Sequence, residues 1–581
     1  MFFLIFPLSA LGIYLPLFGR PSIIHYTAFS VWVGLSFLIH RKTIKTISIV
    51  PIILLSIIIV FAVSAFLNNQ NILNAILGKN NRNSGIGVLF TSVLILLIIQ
   101  NSKFTIADFT RYTLWPLSLI TITFGLLEIT NLYSLNYLSV SGLGLYIGNT
   151  NFSAQIIAIL CIFHLSQLSK FEKVSKLVGN LICVLILIIL GVITQSTQFY
   201  TLLMPTLIVL LLIVNQKKII LKFSKIKIIE FGFILGLLFL SLTIIYRNQI
   251  SVAVNLKDRI LDFRTGIQIG LENLPFGVGI EQFYLHAPMW RSLEKNLLFD
   301  SYTVPDKSHN LFIDYFAEGG FLAVILLILL VVVSLQYAII LLSRSAFMVL
   351  GLQTIPIIGI WLVYIQQLFY SPNNIFIHYL AFYSLGFIIR DAQHSGRNLS
   401  TRMLNRSITK IKTIKIVKFL SYFLIIANLI LNFRVIDVAF QQNQILTSKS
   451  RQATDIKRIF LSSPNLEFRE VMIVELLNNK GNCPLVMELA TEALADEDRA
   501  WNFYYFLALC EDASANYAAA IAYINQGLFY YPSNTNLLEA RFLLEMQLSL
   551  IDNARGTLAL IKYYKPNYPG ITKLESALIN F

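Results

Sequence analysis

The chain has 581 residues, 56% of them hydrophobic and 13% charged, with a mean hydropathy of +0.70. Such a composition excludes a wholly soluble enzyme and points to a polytopic membrane protein whose spans are helices of ~20 residues. A formal net charge of +15 does not indicate nucleic acid, because the basic residues gather in short stretches between apolar runs.

In chain order, apolar runs near 2–18, 22–39, 47–67, 85–100, 113–132, 151–168, 177–195, 199–214, 229–246, 320–342, 347–368, 375–389 and 416–434 predict about thirteen membrane helices. The first run carries neither a basic stretch nor a small-residue cleavage site, so it reads as a span rather than a cleaved leader. Basic residues cluster at Arg41/Lys42/Lys45, Lys170/Lys173/Lys176, Lys217/Lys218/Lys222/Lys225/Lys227, Arg344, and from Arg390 through Lys415. With thirteen spans all of these face the cytoplasm, as does the N-terminus. Loops 68–84, 133–150 and 247–319 and the C-terminal region are then external. The expected fold is all-α: a membrane bundle over 1–434, a linker over 435–466 and soluble helical repeats over 467–581.

The repeats are read from small and aromatic residues at tetratricopeptide-like spacing. These are Tyr504, Leu507, Ala508, Tyr517, Ala520, Ile524, Gly527 and Pro532. A shift of about 34 residues gives Leu538, Ala554, Leu558, Ile561 and Pro566, and a degenerate earlier copy supplies Val471, Val474 and Ala493. Such positions are expected to be buried between stacked helix pairs, and the repeats to hold a protein partner or steady the membrane domain. Cys161, Cys183, Cys483 and Cys510 suggest neither a disulfide framework nor a metal site.

The external loop 247–319 is too long for a simple connection. It holds Arg247, Arg259, Arg264, Arg291, His286 and His309, with Pro275, Gly277 and Gly279 as turn formers. External arginines run against the positive-inside bias, and a guanidinium suits phosphate recognition through paired hydrogen bonds. Interfacial snorkelling is the alternative for any one of them. His309 has an ordinary pKa near neutrality, so it can take a proton from a hydroxyl; a structural histidine at a span boundary is equally readable. Asp306 or Ser308 is expected to cap a helix begun by His309. On that helix Glu318 falls on the opposite side, and is expected to orient an arginine or a loop amide.

His309-Asn310 followed by Glu318-Gly319-Gly320 resembles the histidine motif of the O-antigen ligase superfamily, which includes lipopolysaccharide O-antigen ligases, bacterial protein O-oligosaccharyltransferases and Wzy-type polymerases. Ala323 stands where the motif usually has a further glycine. Upstream, Arg259 through Arg264 and then Pro275, Gly277, Gly279 and Phe283 are similar to the family's Arg-x-x-x-Trp and Pro-x-x-Gly-x-Gly-x-x-Phe stretch, with Phe263 in place of tryptophan. Gly148-Asn149-Thr150-Asn151 resembles an entry to a span, and Arg82-Asn83-Ser84-Gly85 a loop of some members. Thr197 occupies the place of an arginine that the family assigns to the donor diphosphate.

The resemblance implies transfer of an oligo- or polysaccharide from a polyprenyl-diphosphate carrier to an acceptor hydroxyl, on the external face of a bacterial inner membrane. It implies no metal and no cofactor. His309 is then the catalytic residue, Arg259, Arg264, Arg82 and Arg247 bind diphosphate, and Asn310, Glu318, Gly319, Gly320, Gly277 and Gly279 support the site. The acceptor is a lipid, a protein or a growing glycan. Two other classes are a transporter of lipid-linked glycan, although 1–434 shows no internal repeat, and a scaffold displaying the repeats.

Overall fold

The computed structural model describes residues 2–12, 21–40, 44, 46–78, 84–132, 143–145, 149–168, 174–216, 249–299, 304–342, 347–369, 371, 374–394, 426, 453–462, 466–478 and 482–579. Among these every regular element is a helix, and five are long and apolar enough to cross a membrane: Ile49–Leu67, Ile106–Ile129, Val174–Ile193, Leu311–Leu342 and Ile375–His394. A helix is what such sequences form in lipid, since no water is present to satisfy the backbone. Large apolar side chains such as Ile59, Leu119 and Ile189 remain exposed on them, as lipid-facing residues do. The predicted run at 229–246, and that at 416–434 apart from Ile426, lie outside the described residues.

The chain forms two compact units. The first comprises Met1–Ile59, Asn81–Val254 and Ile325–Ile436. Within it, Ile86–Asn101 is buried along almost its whole length and packs on Pro21–His40 and Ile375–His394. Thr150–Gln167 packs against Val174–Ile193, Gln198–Gln216 and Phe347–Gln367. Two histidine rings buried in this apolar setting are paired, and an orphaned polar group there would cost several kcal/mol (~2–7). The His378 ring reaches Ser92 Oγ at 2.8 Å and Tyr364 Oη at 2.6 Å, and the His164 ring reaches Asn180 at 2.8 Å and Ser118 at 3.0 Å.

The second unit comprises Val60–Asn80, Asn255–Val324 and Asp437–Phe581. Its C-terminal part is a run of helices in which each packs on the next: Ala453–Ser462, Leu466–Asn478, Cys483–Asp496, Trp501–Ala513, Tyr517–Tyr530, Thr535–Gln547, Ile551–Tyr564 and Ile571–Ile579. Helix starts at Cys483, Tyr517 and Ile551 are 34 residues apart, as are those at Trp501 and Thr535. Leu507, Ala508, Ala520, Ile524, Leu538, Ala554, Leu558 and Ile561 are buried as expected, and so is Ala493.

Val471 and Val474 are exposed instead, while Met472, Ile473 and Leu476 fill the core. The expected pattern of the degenerate copy is out of phase with the helix, which turns its stripe toward solvent. Ala453–Ser462 falls inside the expected linker, yet Ile456, Ile459 and Phe460 belong to the same core. Cys483 and Cys510 form a disulfide between consecutive helices, with Cα atoms 5.3 Å apart. The expectation of no framework failed because Cys483 opens one helix and Cys510 lies late in the next; antiparallel packing makes them neighbours.

Candidate functional site

The site in the second unit is built from three segments. The long loop begins with a helix, Gln249–Glu272, which carries Arg259 and Arg264. Gly266 and Gly270 lie one turn apart, and a Cβ on either would strike Ile313, or Phe316, at 2.5 Å or less. This small-x-x-x-small face brings the arginine helix directly onto the start of Leu311–Leu342.

The second segment docks under the end of that helix's first part. Val278 N donates to Ala317 O at 2.9 Å and Gly279 N to Glu318 O at 3.0 Å. The Ser64 hydroxyl donates to the same Glu318 carbonyl at 2.9 Å, while Asn68 and Gln70 amides hold the carbonyls of Gly277 and Ile280. At Gly320 the backbone turns to φ 70°, ψ −168°, so the helix is broken there before continuing to Leu342. The last-turn carbonyls of the first part thereby find partners in a loop, as a buried helix end requires. A Cβ on Gly320 would lie 1.8 Å from Pro275 O, and one on Gly277 2.6 Å from Ala317 O. The two glycine motifs are one joint.

The third segment is the histidine turn. His309 is half-buried and has φ +64°, a left-handed conformation that a non-glycine residue holds only when its surroundings impose it. The helix starts at Leu311, not at His309. Asn310 is the cap, its Oδ1 accepting from Phe312 N at 3.0 Å and Ile313 N at 3.2 Å. Ser308 does something else: its amide and its hydroxyl both donate to Asp314 Oδ1 at 2.7 Å. Because His309 stands ahead of the helix, the helical-wheel relation to Glu318 does not apply.

Among the described residues the Glu318 carboxylate is shown with neither an arginine nor a loop amide. It accepts from Lys307 Nζ at 2.6 Å, and Lys307 also pairs with Glu281 at 2.7 Å. All three side chains are buried. Burial alone would lower the Lys307 pKa, but the charges of Glu281, Glu318 and Asp314 outweigh it and hold the ammonium firmly protonated. Sequence reasoning missed Lys307, Glu281 and Asp314 altogether.

The arginines divide. Arg264 is exposed near Glu294, and Arg259 is half-buried near Asp262. Asp262 is fully buried and pairs with Lys295, which also reaches Asp258 at 2.9 Å. Burial pushes Asp262 up to about 6, against the attraction of Lys295. Arg82 and Arg247 lie outside the described residues.

In the first unit two other motif stretches meet. Asn149 caps Thr150–Gln167, and Asn151 Oδ1 accepts from Ser196 Oγ at 2.7 Å. Gln155 Nε2 donates to Gln198 Oε1 at 2.8 Å. Thr197, between Ser196 and Gln198, is exposed, and a threonine supplies no positive charge at that corner.

Chemically, the second-unit site offers an imidazole held at a helix entrance, a rigid glycine joint beneath it and guanidinium groups on the helix packed alongside. Among the described residues there is no cluster of His, Cys, Asp and Glu that could hold a metal ion. No family model matches this sequence, and neither does any curated protein.

Proposed function

We propose that the protein transfers an oligo- or polysaccharide from a polyprenyl-diphosphate carrier to an acceptor hydroxyl, as an O-antigen ligase does. Polymerisation of a glycan and glycosylation of a protein hydroxyl are the two variants of the same chemistry. The single observation that carries this reading is the joint between Pro275–Gly279 and Glu318–Gly320, built directly after the histidine turn. Motif segments far apart in sequence converge on one place, and His309 is the basic group at its entrance.

In this reading the acceptor oxygen attacks the anomeric carbon and the bond from that carbon to the diphosphate oxygen breaks. The hydroxyl proton passes to His309, and the polyprenyl diphosphate leaves as an anion. Arg259 and Arg264 stabilise that developing charge. The carrier's tail requires a lipid phase, which suits a chain rich in apolar helices of spanning length. Thirteen spans with the N-terminus in the cytoplasm put the histidine loop and the repeats outside. The Cys483–Cys510 disulfide supports that orientation, since such bonds persist in oxidising compartments. The 34-residue spacing of helix starts supports a tetratricopeptide-like identity for the C-terminal region.

The test is transfer by membranes carrying His309→Ala. The reading predicts a fall of about 10²–10⁴-fold with normal amounts of folded protein, and wild-type transfer would overturn it.

A further inference from the structure

Lys307 carries the inference that goes furthest. It stands two residues before His309 and is buried, although a lysine is rarely buried without a structural or functional demand. Its two partners come from the two other parts of the site: Glu281 follows the Gly277–Gly279 turn, and Glu318 precedes the Gly319–Gly320 break. One ammonium therefore joins the loop, the histidine turn and the broken helix. Glu281 itself has φ +63°, in the left-handed region like His309. The residue after it, Gln282, hydrogen-bonds the Glu497 side chain of the repeat region. Leu285 is buried within the repeat core, packed with Ile456, Phe460, Leu489 and Phe506. The loop that presents Glu281 is thus anchored by the repeats.

We infer that Lys307 is a positioning residue for His309: its bridge to Glu281 and Glu318 holds the histidine turn, and the repeat region fixes that bridge through the segment beginning at Gln282. The inference rests on the transfer reading above. On one side of His309 the turn is held by Lys307 and by Ser308 through Asp314; on the other it is held by the Asn310 cap. Removing the ammonium takes away the tie from the turn to Glu281 and Glu318 and leaves Ser308–Asp314 and the Asn310 cap in place, so the turn is loosened on its first side only. The imidazole then samples positions away from the acceptor hydroxyl, while the arginines that bind the donor stay in place. A turnover defect with unchanged donor binding follows, and arginine, which keeps the charge and can span both carboxylates, restores it.

The test uses full-length protein in lipid nanodiscs with a polyprenyl-diphosphate oligosaccharide as donor. Lys307→Met is expected to lower kcat by about 10- to 100-fold with donor KM within about twofold of wild type, and Lys307→Arg to recover most of the loss. Amide hydrogen exchange over residues 304–313 is measured on the same samples, with faster exchange expected in Lys307→Met and wild-type exchange in Lys307→Arg. If Lys307→Met does not fold, Lys307→Met/Glu281→Gln/Glu318→Gln takes its place, because it leaves neither carboxylate as an unpaired buried charge. Wild-type kcat, a change confined to KM, or unaltered exchange in the neutral variant would overturn the inference. Absence of transfer in the wild-type protein would overturn the transfer reading instead, and exchange would then decide whether Lys307 holds the turn.

Discussion

At the scale of single residues, Gly320 is the position where the backbone leaves least freedom. Its φ of 70° with ψ −168° belongs to a region that only glycine occupies readily, and a methyl group would collide with Pro275 O. Gly320→Ala should lower stability by more than about 3 kcal/mol, seen as a large drop in the melting temperature of the purified protein. Gly556 is its counterpart: it sits within Ile551–Tyr564, and a methyl group added there would meet nothing within 4 Å. Gly556→Ala should raise stability by about 0.5–1 kcal/mol. Equal effects at the two glycines would contradict the joint. The turn-forming Gly277 and Gly279 were legible in sequence because each acts where it stands, through its own φ; the cap at Asn310 was not, having been expected at Asp306 or Ser308. Lys307 was not, since its meaning depends on carboxylates supplied by other segments and nothing in the local pattern announces them.

At the scale of elements, the contact between the loop and the repeats holds two groups that titrate in opposite senses. Burial, helped by the Arg499 charge, pushes His286 down to about 3. Its neutral form is favoured by folding, so its contribution is complete above an unfolded pKa of about 6.5 and is lost as pH falls toward 3. Burial, with Asp498 nearby, pushes Glu497 up to about 7. Its protonated form is favoured by folding, so that contribution is complete below about 4.5 and is lost as pH rises through 7. Between pH 7 and 5 the two effects oppose each other. Glu497→Gln should therefore lose stability on acidification more steeply than wild type, and His286→Asn should gain it; melting temperatures at about pH 7, 6 and 5 check both, and parallel curves would refute the assignment. The arginine helix was only half legible. Its Gly266-x-x-x-Gly270 face is a recognisable spacing, but which helix it meets is settled by tertiary packing. The expected cap at Asp306 or Ser308 failed for a related reason: Ser308 is engaged by Asp314 from the following turn, leaving the role to Asn310.

At the scale of the whole molecule, apolar runs coincided with helices among the described residues, five of them long and apolar enough to span a bilayer, but the helix Gln249–Glu272 falls in the expected loop. Periodicity said less about the soluble region, where one residue of phase moved the stripe from Met472, Ile473 and Leu476 to Val471 and Val474. The disulfide makes orientation testable. If the repeats are external, a non-reduced digest of protein taken from cells yields peptides linked through Cys483 and Cys510. Cys483→Ser/Cys510→Ser should then destabilise the repeats by about 3–4 kcal/mol, measured by denaturant unfolding. Free thiols at both positions in the native protein would argue for a cytoplasmic C-terminal region. The most direct test of the transfer chemistry is at His309. Reconstituted full-length protein is given a radiolabelled polyprenyl-diphosphate oligosaccharide and candidate acceptors, and transfer is followed for wild type and His309→Ala side by side. The account predicts labelled acceptor with wild type, and unspent lipid-linked donor with the variant. Equal transfer by both would contradict it.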